Sequence, residues 1–330
     1  MSVMFKEAQE LVEAANKIVV IQAENPDGDS LGSALALEDI LGDMDKQVSL
    51  YCPVDIPKYL RFAKGWDRVV SDLDTTADLA IIVDTAADVL MTKVLDTPGA
   101  RHFLESRPVL VIDHHTTESN LSFDHTLLSQ SVISATEMVY KLAKASDWSV
   151  NAQAAENLMV GLMSDSLGLT TPSVTAESFH IAGELTELGA SISVIEDRRR
   201  QFMKKTPEIL EYKGRLIDRI EYSLDGKLAT IHIPWKEIQS YSDQYNPSML
   251  VIDEMRLVEG VQVAIAVKTY PDGKLTGKIK ANIPVAETIA GFFGGGGHNY
   301  AAGFRVYDSL ETAMPEIINA TKKALDNHES

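Results

Sequence analysis

Acidic side chains and a histidine follow short apolar stretches at several places in the first half of the chain, and their types could bind a metal ion. The candidates are Asp27, Asp29, Asp84, His114 and Asp165. If they converge, four carboxylates and one imidazole share a site that repels itself unless a cation neutralises it. Oxygen-rich ligation with a little imidazole suits manganese, magnesium or iron better than a zinc site built from thiolates. The residues therefore predict a divalent metal site.

The elements that must position these residues are predicted strands. Residues 17–22, 79–83 and 108–112 are rich in Val, Ile and Leu, which is typical of strands covered on both faces of a parallel sheet. Such sheets place ligand chemistry at the carboxyl ends of their strands. A helical pattern at 31–41 and a further strand at 47–51 alternate with them. The pattern predicts an α/β fold with a doubly wound, mainly parallel sheet.

Length and charge limit the possible functions. A chain of 330 residues, of which 45% are hydrophobic, is long enough for two domains. The formal net charge of -18 argues against an extended nucleic-acid groove, but it allows a small anionic substrate in a locally positive, metal-filled pocket. The single Cys52, the absence of a signal-peptide core and the absence of a long apolar run together predict a cytoplasmic protein without a membrane span.

The motifs taken together resemble the DHH phosphoesterase superfamily. Residues 25–29 read Asn-Pro-Asp-Gly-Asp, 83–84 Val-Asp, 113–115 Asp-His-His and 164–165 Ser-Asp. Residues 294–303 resemble the glycine motif of the DHH-associated C-terminal domain. The motifs span nearly the whole chain in the family's order. By size and domain content the chain is most similar to the standalone nanoRNA hydrolases and pAp phosphatases, a branch that also hydrolyses linear dinucleotides such as pApA.

This resemblance implies a division into domains. Residues 1–190 would form a DHH metal-binding phosphoesterase domain, 191–220 a helical linker, and 221–330 a smaller α/β DHH-associated domain that binds substrate. The implied active site lies in the cleft between the two domains. The linker is also basic, and its charges either form a solvated face or contact phosphate. These residues are Arg198, Arg199, Arg200, Lys204 and Lys205.

The resemblance also implies the metal ligands. Two Mn²⁺ or Mg²⁺ ions are expected, about 3.5–4 Å apart. Asp84 would bridge them and Asp27 would bind the first ion. Asp29, His114 and Asp165 would bind the second.

Two residues of the DHH motif have implied catalytic roles. Asp113 would orient an imidazole, a role that histidines in metal sites usually require. His115 would face the substrate phosphate, either as a hydrogen-bond donor or as the acid that protonates the leaving oxygen.

Substrate binding is expected from the glycine motif and from one lysine. Gly295, Gly296 and Gly297 precede His298, and bare backbone amides of this kind can form a nest for a phosphate. A loop selected for flexibility is the alternative for the glycine run. Lys280 stands where the family commonly has an arginine, and lysine keeps the charge without the bidentate fork.

The chain departs from the family pattern at the first metal ion. Ala23 stands where the family has a histidine ligand. Gln22, Glu24, His125 or water are the candidates to fill that position, and magnesium tolerates ligation by water. The first of the two ions is therefore expected to bind more weakly.

The leading hypothesis is a manganese- or magnesium-dependent phosphohydrolase for short nucleotides such as nanoRNA, pAp or pApA. A nucleotide-binding protein with weakened catalysis is the alternative, because of Ala23. An inorganic pyrophosphatase of the manganese type shares the metal motif, but it has no use for the glycine motif. The resemblance also raises the possibility of a homodimer, which no residue pattern tests.

Overall fold

Two six-stranded sheets organise the protein, and each belongs to one of two units, Met1–Lys204 and Lys205–Ser330. The computed structural model describes residues 3–115, 118–242 and 245–329, without the side chains of His298 and Glu329. The boundary between the units falls inside the segment predicted as a linker.

The sheet of the first unit is parallel throughout. Its strands are β1 (Lys17–Ile21), β2 (Gln47–Tyr51), β3 (Val69–Val70), β4 (Leu79–Val83), β5 (Val109–Asp113) and β6 (Thr126–Ser129). Their order is β3-β2-β1-β4-β5-β6, and every neighbouring pair runs parallel. Because β1 lies beside β4, the chain winds first to one side of β1 and then to the other. The predicted doubly wound fold is confirmed.

Helices cover both faces of this sheet. They are α1 (Val3–Ala14), α2 (Gly28–Gly42), α3 (Thr92–Leu95), α4 (Ala100–Ser106), α5 (Ala135–Ala145), α6 (Ala152–Asp165), α7 (Ala176–Glu187) and α8 (Ile192–Phe202). Helices α3 and α4 pack on the face that carries Val19 and Ile21 of β1. The remaining helices pack on the face of Ile18 and Val20. The strands are thus buried on both sides, which explains their continuous apolar sequences.

Helix α2 begins earlier than its apolar pattern predicts. Asp27 caps it, since one carboxylate oxygen accepts hydrogen bonds from the amides of Asp29 and Ser30 at 3.0 Å each. The Ser30 hydroxyl accepts a bond from the Asp27 amide in return, also at 3.0 Å. This reciprocal capping box fixes the start of the helix. Asp27, which is predicted to bind metal, therefore also caps the start of the helix.

Two glycines let α2 approach α6 closely. A Cβ atom at Gly28 would lie 2.4 Å from the hydroxyl oxygen of Ser164, and one at Gly32 would lie 2.6 Å from the carbonyl oxygen of Asn157. Larger residues would push the helices apart. The close approach brings the start of α2 beside the end of α6, where Asp165 is the last helical residue.

The second unit has a mixed sheet with helices on both faces. Its elements are α9 (Pro207–Ile217), β7 (Glu221–Ser223), β8 (Leu228–Ile233), α10 (Trp235–Tyr241), α11 (Ile252–Arg256), β9 (Val263–Thr269), β10 (Lys274–Ala281), α12 (Ala286–Gly291), β11 (Gly296–His298), β12 (Ala301–Tyr307) and α13 (Leu310–Glu329). The strand order is β11-β12-β10-β9-β8-β7. Only β8 and β9 pair in parallel. Helices α12 and α13 pack on one face, and α9 to α11 pack on part of the other.

A membrane-spanning helix would need a length and an apolar content that none of the helices within the described residues reaches.

Candidate metal centre

The carboxyl ends of neighbouring strands bring the acids and the DHH histidines together. Asp84 directly follows β4, and its φ of 64° turns the chain sharply away from the strand. The register pairs Val83 with Ile112, so Asp84 and Asp113 come next to each other at the same edge of the sheet. His114 follows at once. Predicted residues that are distant in sequence thus meet at the edge where parallel sheets place ligand chemistry.

The ring of His114 lies at the centre of three carboxylates. Its Nε2 atom is 3.2 Å from an oxygen of Asp165, 3.4 Å from one of Asp84 and 3.8 Å from one of Asp29. Its Nδ1 atom is 3.2 Å from the carbonyl oxygen of Val132, to which a protonated Nδ1 donates. That tautomer leaves the lone pair of Nε2 directed at the carboxylates, as in a histidine that ligates a metal.

Two atoms of this cluster have no partner. Asp84 Oδ1 and His114 Nε2 are both buried, and neither makes a hydrogen bond within the described residues. Buried polar atoms are rarely left unpaired, because their desolvation costs free energy. Both are acceptors in the Nδ1-protonated tautomer, so a cation between them satisfies both. Carboxylate oxygens with one imidazole are a ligand set that fits Mn²⁺ or Mg²⁺.

Asp29 is completely buried and is held by the start of α5. One oxygen accepts a bond from the Ala135 amide at 2.5 Å. The other accepts from the Thr136 amide at 2.9 Å and from the Thr136 hydroxyl at 2.8 Å. The positive end of the helix dipole stabilises a carboxylate at this position. These contacts fix the orientation of Asp29, and the oxygen bonded to Ala135 is the one that lies near His114.

Two groups of three side chains have the spacing of a metal site. Asp29, His114 and Asp165 form one group, and Asp84, His114 and His115 form the other, with the ligand atoms of each group within 4.8 Å of one another. The first group contains the three residues predicted to bind the second ion. His114 belongs to both groups, and His115 lies beside Asp84 rather than away from the metal ligands.

Asp27 lies outside both groups, but its carboxylate interacts with the charge of Asp165. Burial raises its pKa above 3.8, and the negative charge of Asp165 raises it further. The oxygen that caps α2 is already engaged by two amides. As a ligand of the first ion, a role that stays a prediction, Asp27 would use its other oxygen.

The surroundings of the cluster raise the pKa values of Asp29, Asp84 and His114, so these groups retain their protons to higher pH. Burial, followed by the charge of Asp165, raises the pKa of Asp29 to about 7. Burial and the charges of Asp29 and Asp27 raise the pKa of Asp84 well above 3.8. Burial alone would lower the pKa of His114, but the carboxylates of Asp165 and Asp84 outweigh it and raise the value to about 12. The centre therefore attracts protons or a metal cation.

Asp113 orients His115. Its Oδ1 atom lies 2.6 Å from the Nδ1 atom of the His115 ring and also accepts the His115 backbone amide at 3.3 Å. Asp113 is itself buried, so the pair is rigid. The contact fixes the orientation of the ring.

Comparison with known proteins adds to this geometry. Residues 17–162 match the model described as the DHH family, N-terminal domain. We refer to the part of the chain that contains this match as the DHH domain. The whole chain is 26% identical, over 96% of its length, to the bifunctional oligoribonuclease and PAP phosphatase NrnA of Thermus thermophilus, of which it covers 93%.

Solved structures share the fold. An exopolyphosphatase-related protein from Bacteroides fragilis superposes with a TM-score of 0.81 at 21% identity, over 98% of this chain and 96% of that one. RecJ from Thermus thermophilus, solved in complex with Mn²⁺, gives a TM-score of 0.58 at 14% identity, over 98% of this chain and 55% of that one.

The DHH domain lacks an imidazole at position 23. The register pairs Ile21 with Ile82, so Ala23 comes level with Asp84 two residues further on. Gln22 is fully buried, and neither atom of its side-chain amide has a hydrogen-bond partner within the described residues.

Two of the candidates to replace that imidazole are engaged elsewhere. Glu24 accepts the backbone amide of Lys93 at 3.1 Å. Both ring nitrogens of His125 lie 2.9 Å from local partners, the Ser119 hydroxyl and the Phe123 carbonyl. Of the side chains predicted to compensate for Ala23, Gln22 alone lacks a partner among the described residues.

Two of the predicted substrate residues of the second unit, Lys280 and His298, lie on strands that flank a common neighbour. Lys280 on β10 and His298 on β11 both pair with Ala301 of the intervening β12. Their backbones therefore lie in one row of the sheet. The His298 side chain lies outside the described part of the chain.

The glycine run forms an ordered hairpin edge. The amides of Gly294 and Gly295 donate to the carbonyls of Gly291 and Ala290 at 3.0 and 2.9 Å. A Cβ atom at Gly295 would lie 2.2 Å from the carbonyl oxygen of Gly303. Gly296 and Gly297 continue into β11. The run thus permits close approach of two backbones, and the amides of Gly294 and Gly295 are used by carbonyls at the end of α12.

The basic residues near the unit boundary mostly pair with acids of the same unit. Arg198 donates to Glu156 at 2.8 Å. Arg199 and Arg200 both contact Glu196, at 2.7 and 3.1 Å. These ion pairs favour the interpretation of a structural, solvated face over that of a phosphate site.

Sequence reasoning missed one contributor to the centre. Thr136 holds Asp29, and the pattern of a helix start at residues 134–136 is its only signal in the sequence.

Proposed function

We propose that this protein is a manganese- or magnesium-dependent phosphohydrolase that cleaves short nucleotides such as nanoRNA, pAp or pApA. The observation that carries the proposal is the unpartnered, buried pair of Asp84 Oδ1 and His114 Nε2 among three further acids. The NrnA relative is named for oligoribonuclease and PAP phosphatase activities, and RecJ of the same fold was solved with Mn²⁺. Both support this choice of reaction and metal.

The side chains divide between two proposed ions. Asp29, His114 and Asp165 would hold one, and Asp27 would hold the other, with Asp84 shared by both. When bound, such a pair supplies a hydroxide at neutral pH and stabilises charge on the phosphoryl oxygens. The Thr136 contacts to Asp29 and the Val132 contact to His114 keep the ligands in place without the metal.

The chain's own acid in this scheme is His115. Its contact with Asp113 at 2.6 Å holds the ring in place, and a histidine in its protonated form can protonate the leaving oxygen. Lys280 and His298 are the proposed contacts to the rest of the nucleotide. A homodimer and a cytoplasmic location stay predictions from the family resemblance and the composition.

A nucleotide-binding protein with lapsed catalysis is the second candidate. The observation that favours it is Ala23, since Glu24 and His125 are bound to other groups. With Gln22 or water in place of an imidazole, the ion bound by Asp27 and Asp84 would have fewer protein ligands.

The deciding experiment measures hydrolysis of pAp, pApA, a short RNA and inorganic pyrophosphate, each with Mn²⁺, Mg²⁺ or EDTA. The parent protein is compared with Ala23→His and with Ala145→His, a control at an exposed end of α5. We expect metal-dependent turnover of the nucleotides by the parent, with little improvement in Ala23→His. A silent parent that gains turnover only in Ala23→His would establish the binding function instead. Turnover of pyrophosphate alone would identify a pyrophosphatase.

A further inference from the structure

Of the lysines on one face of the second sheet, three lie close together, and a fourth, Lys274, begins β10 beside Asp272 and Tyr270. Lys278 and Lys280 alternate with buried residues along β10. Lys268 of β9 pairs with Thr276, two residues before Lys278. Paired residues of antiparallel strands, and alternate residues of one strand, share a face. Lys268 and Lys278 are diagonal neighbours with Cα atoms roughly 7–8 Å apart. We call Lys268, Lys278 and Lys280 the lysine face.

The protein offers these ammonium groups few partners. Lys268 Nζ donates to the Asn246 side-chain oxygen at 2.6 Å, and Lys278 Nζ lies 3.0 Å from the Met249 sulfur. A thioether is a weak acceptor, and each ammonium has three donors. Within the described residues, no carboxylate forms an ion pair with any of the three lysines. Among the residues that the structure describes, most of their hydrogen-bonding capacity is unused.

The side chains of the three lysines are half-buried, and their positive charges repel one another. Burial, aided by the charge of Lys278, lowers the pKa of Lys268 to about 8. Burial and the charge of Lys280 lower the pKa of Lys278, and Asp253 opposes that shift. Asp253 itself pairs with Arg256 at 3.2 Å. An anion bound among the ammonium groups would relieve this repulsion.

The neighbouring strand leaves room for such an anion. Lys280 pairs with Ala301 and Lys278 pairs with Gly303 of β12, so the residues directly opposite the two lysines are small. Arg305, which pairs with Thr276, adds a further cation on the same face. The opposite face of β10 is packed into the core, where Leu275 and Ile279 are fully buried. The charges are therefore confined to one side of the sheet.

We propose that the lysine face binds a phosphate group of the nucleotide, with Lys268 and Lys278 as contacts beyond the Lys280 that the family resemblance predicts. The inference rests on the proposed function and names a further part of the substrate, a phosphate dianion. Free inorganic phosphate has the same chemistry, and the experiment separates the two sources.

The test measures binding by calorimetry to the full chain in EDTA, with pAp, AMP, adenosine and inorganic phosphate as probes. Without metal, the proposed metal centre has no cation to hold a phosphate, so binding reports on the lysines rather than on catalysis. The variants are Lys268→Met/Lys278→Met, which removes two charges but keeps the apolar stems, and Lys268→Arg/Lys278→Arg, which keeps the charges. The control is Lys274→Met, whose ammonium lies 4.1 Å from the Tyr270 ring centroid and 3.9 Å from Asp272.

We expect the parent to bind pAp and AMP but not adenosine. The double methionine variant should bind pAp at least tenfold more weakly, since charge-assisted hydrogen bonds are lost. The arginine variant and Lys274→Met should retain most of the affinity. Equal pAp affinity in the parent and in a folded methionine variant would overturn the proposal, and tighter binding of inorganic phosphate than of pAp would overturn its nucleotide assignment. Hydrolysis with Mn²⁺ is scored separately, so failure of the proposed function is distinguishable.

Discussion

The metal centre of the DHH domain and the lysine face of the second unit concentrate opposite charges, and they hold them differently. In the metal centre, Asp29 is fixed by two amides and a hydroxyl, and His114 is positioned by the Val132 carbonyl. On the lysine face, Lys268 has one hydrogen-bond partner among the described residues, Asn246. Short side chains held by backbone groups form one site, and long side chains with few contacts form the other.

This difference matches the ligands that we propose for the two sites. A divalent cation requires oxygen and nitrogen atoms at fixed positions, so rigid support of the ligands increases affinity. A phosphate accepts hydrogen bonds from many directions, and flexible ammonium groups can adapt to different nucleotides. We therefore expect substitutions in the metal centre to have large effects on turnover, and substitutions on the lysine face to have smaller effects on binding.

The largest effect is expected from Asp84→Asn. Loss of an outer hydrogen-bond partner of a metal ligand typically costs 10–100-fold in affinity or activity, so loss of Asp84 itself should reduce Mn²⁺-dependent turnover roughly a hundredfold or more. Asp84 is crowded by Asp29 and Asp27, so the metal-free variant should melt no lower than the parent. The control Asp74→Asn removes a carboxylate that pairs with Lys17 at 2.9 Å.

Turnover and thermal melting of both variants check this prediction. Asp74→Asn should keep full turnover and lose some stability, the reverse of the pattern at Asp84. Unchanged turnover in Asp84→Asn would remove the carboxylate from the mechanism and with it the assignment of the centre.

A smaller effect is expected from Thr136→Val, which tests whether rigidity matters. The change removes the 2.8 Å hydroxyl bond to Asp29 but leaves the two amide bonds. Affinity for Mn²⁺ should fall roughly tenfold, and the free energy of unfolding should fall by about 1 kcal/mol. The matched control is Thr321→Val in α13, where a buried hydroxyl donates to the Ile317 carbonyl at 2.8 Å.

Mn²⁺ titration by calorimetry distinguishes the two threonine variants. Both should lose similar stability, and only Thr136→Val should lose metal affinity. An equal metal affinity in the two would mean that the amides alone fix Asp29.

The sheet of the DHH domain was predictable because its strands are buried on both faces. Continuous apolar sequences predicted strands at 17–22, 79–83 and 108–112. The observed β1 and β4 lie within or at these bounds, and β5 extends one residue further, to Asp113. The acids at the strand ends followed from the same rule. The metal chemistry could be inferred from residue types alone, since so many carboxylates need a cation.

Contacts between distant segments were not predictable. The partners of Asp29 lie 106 and 107 residues later, and no local pattern encodes that pairing. The alternation in β10 places Lys278 and Lys280 on one face, but the addition of Lys268 depends on the register with β9. For the same reason the sequence left the neighbours of Gln22 open.

The smallest predicted effect is a loss of affinity for pAp as the pH rises. Because burial and Lys278 lower the pKa of Lys268 to about 8, this ammonium is charged at pH 7 and mostly neutral at pH 9.5 in the free protein. The pKa of Lys278 is lowered as well, against the pull of Asp253, so its charge changes in the same direction. Affinity of the metal-free protein for pAp should therefore fall roughly three- to tenfold between these pH values.

The variant Lys268→Arg separates this loss from other titrations. Arginine stays protonated across the range, and the phosphates of pAp, with a second pKa near 6, are already mostly ionised at pH 7. The parent should therefore lose more affinity than Lys268→Arg. Equal losses in the two would mean that Lys268 has no part in phosphate binding.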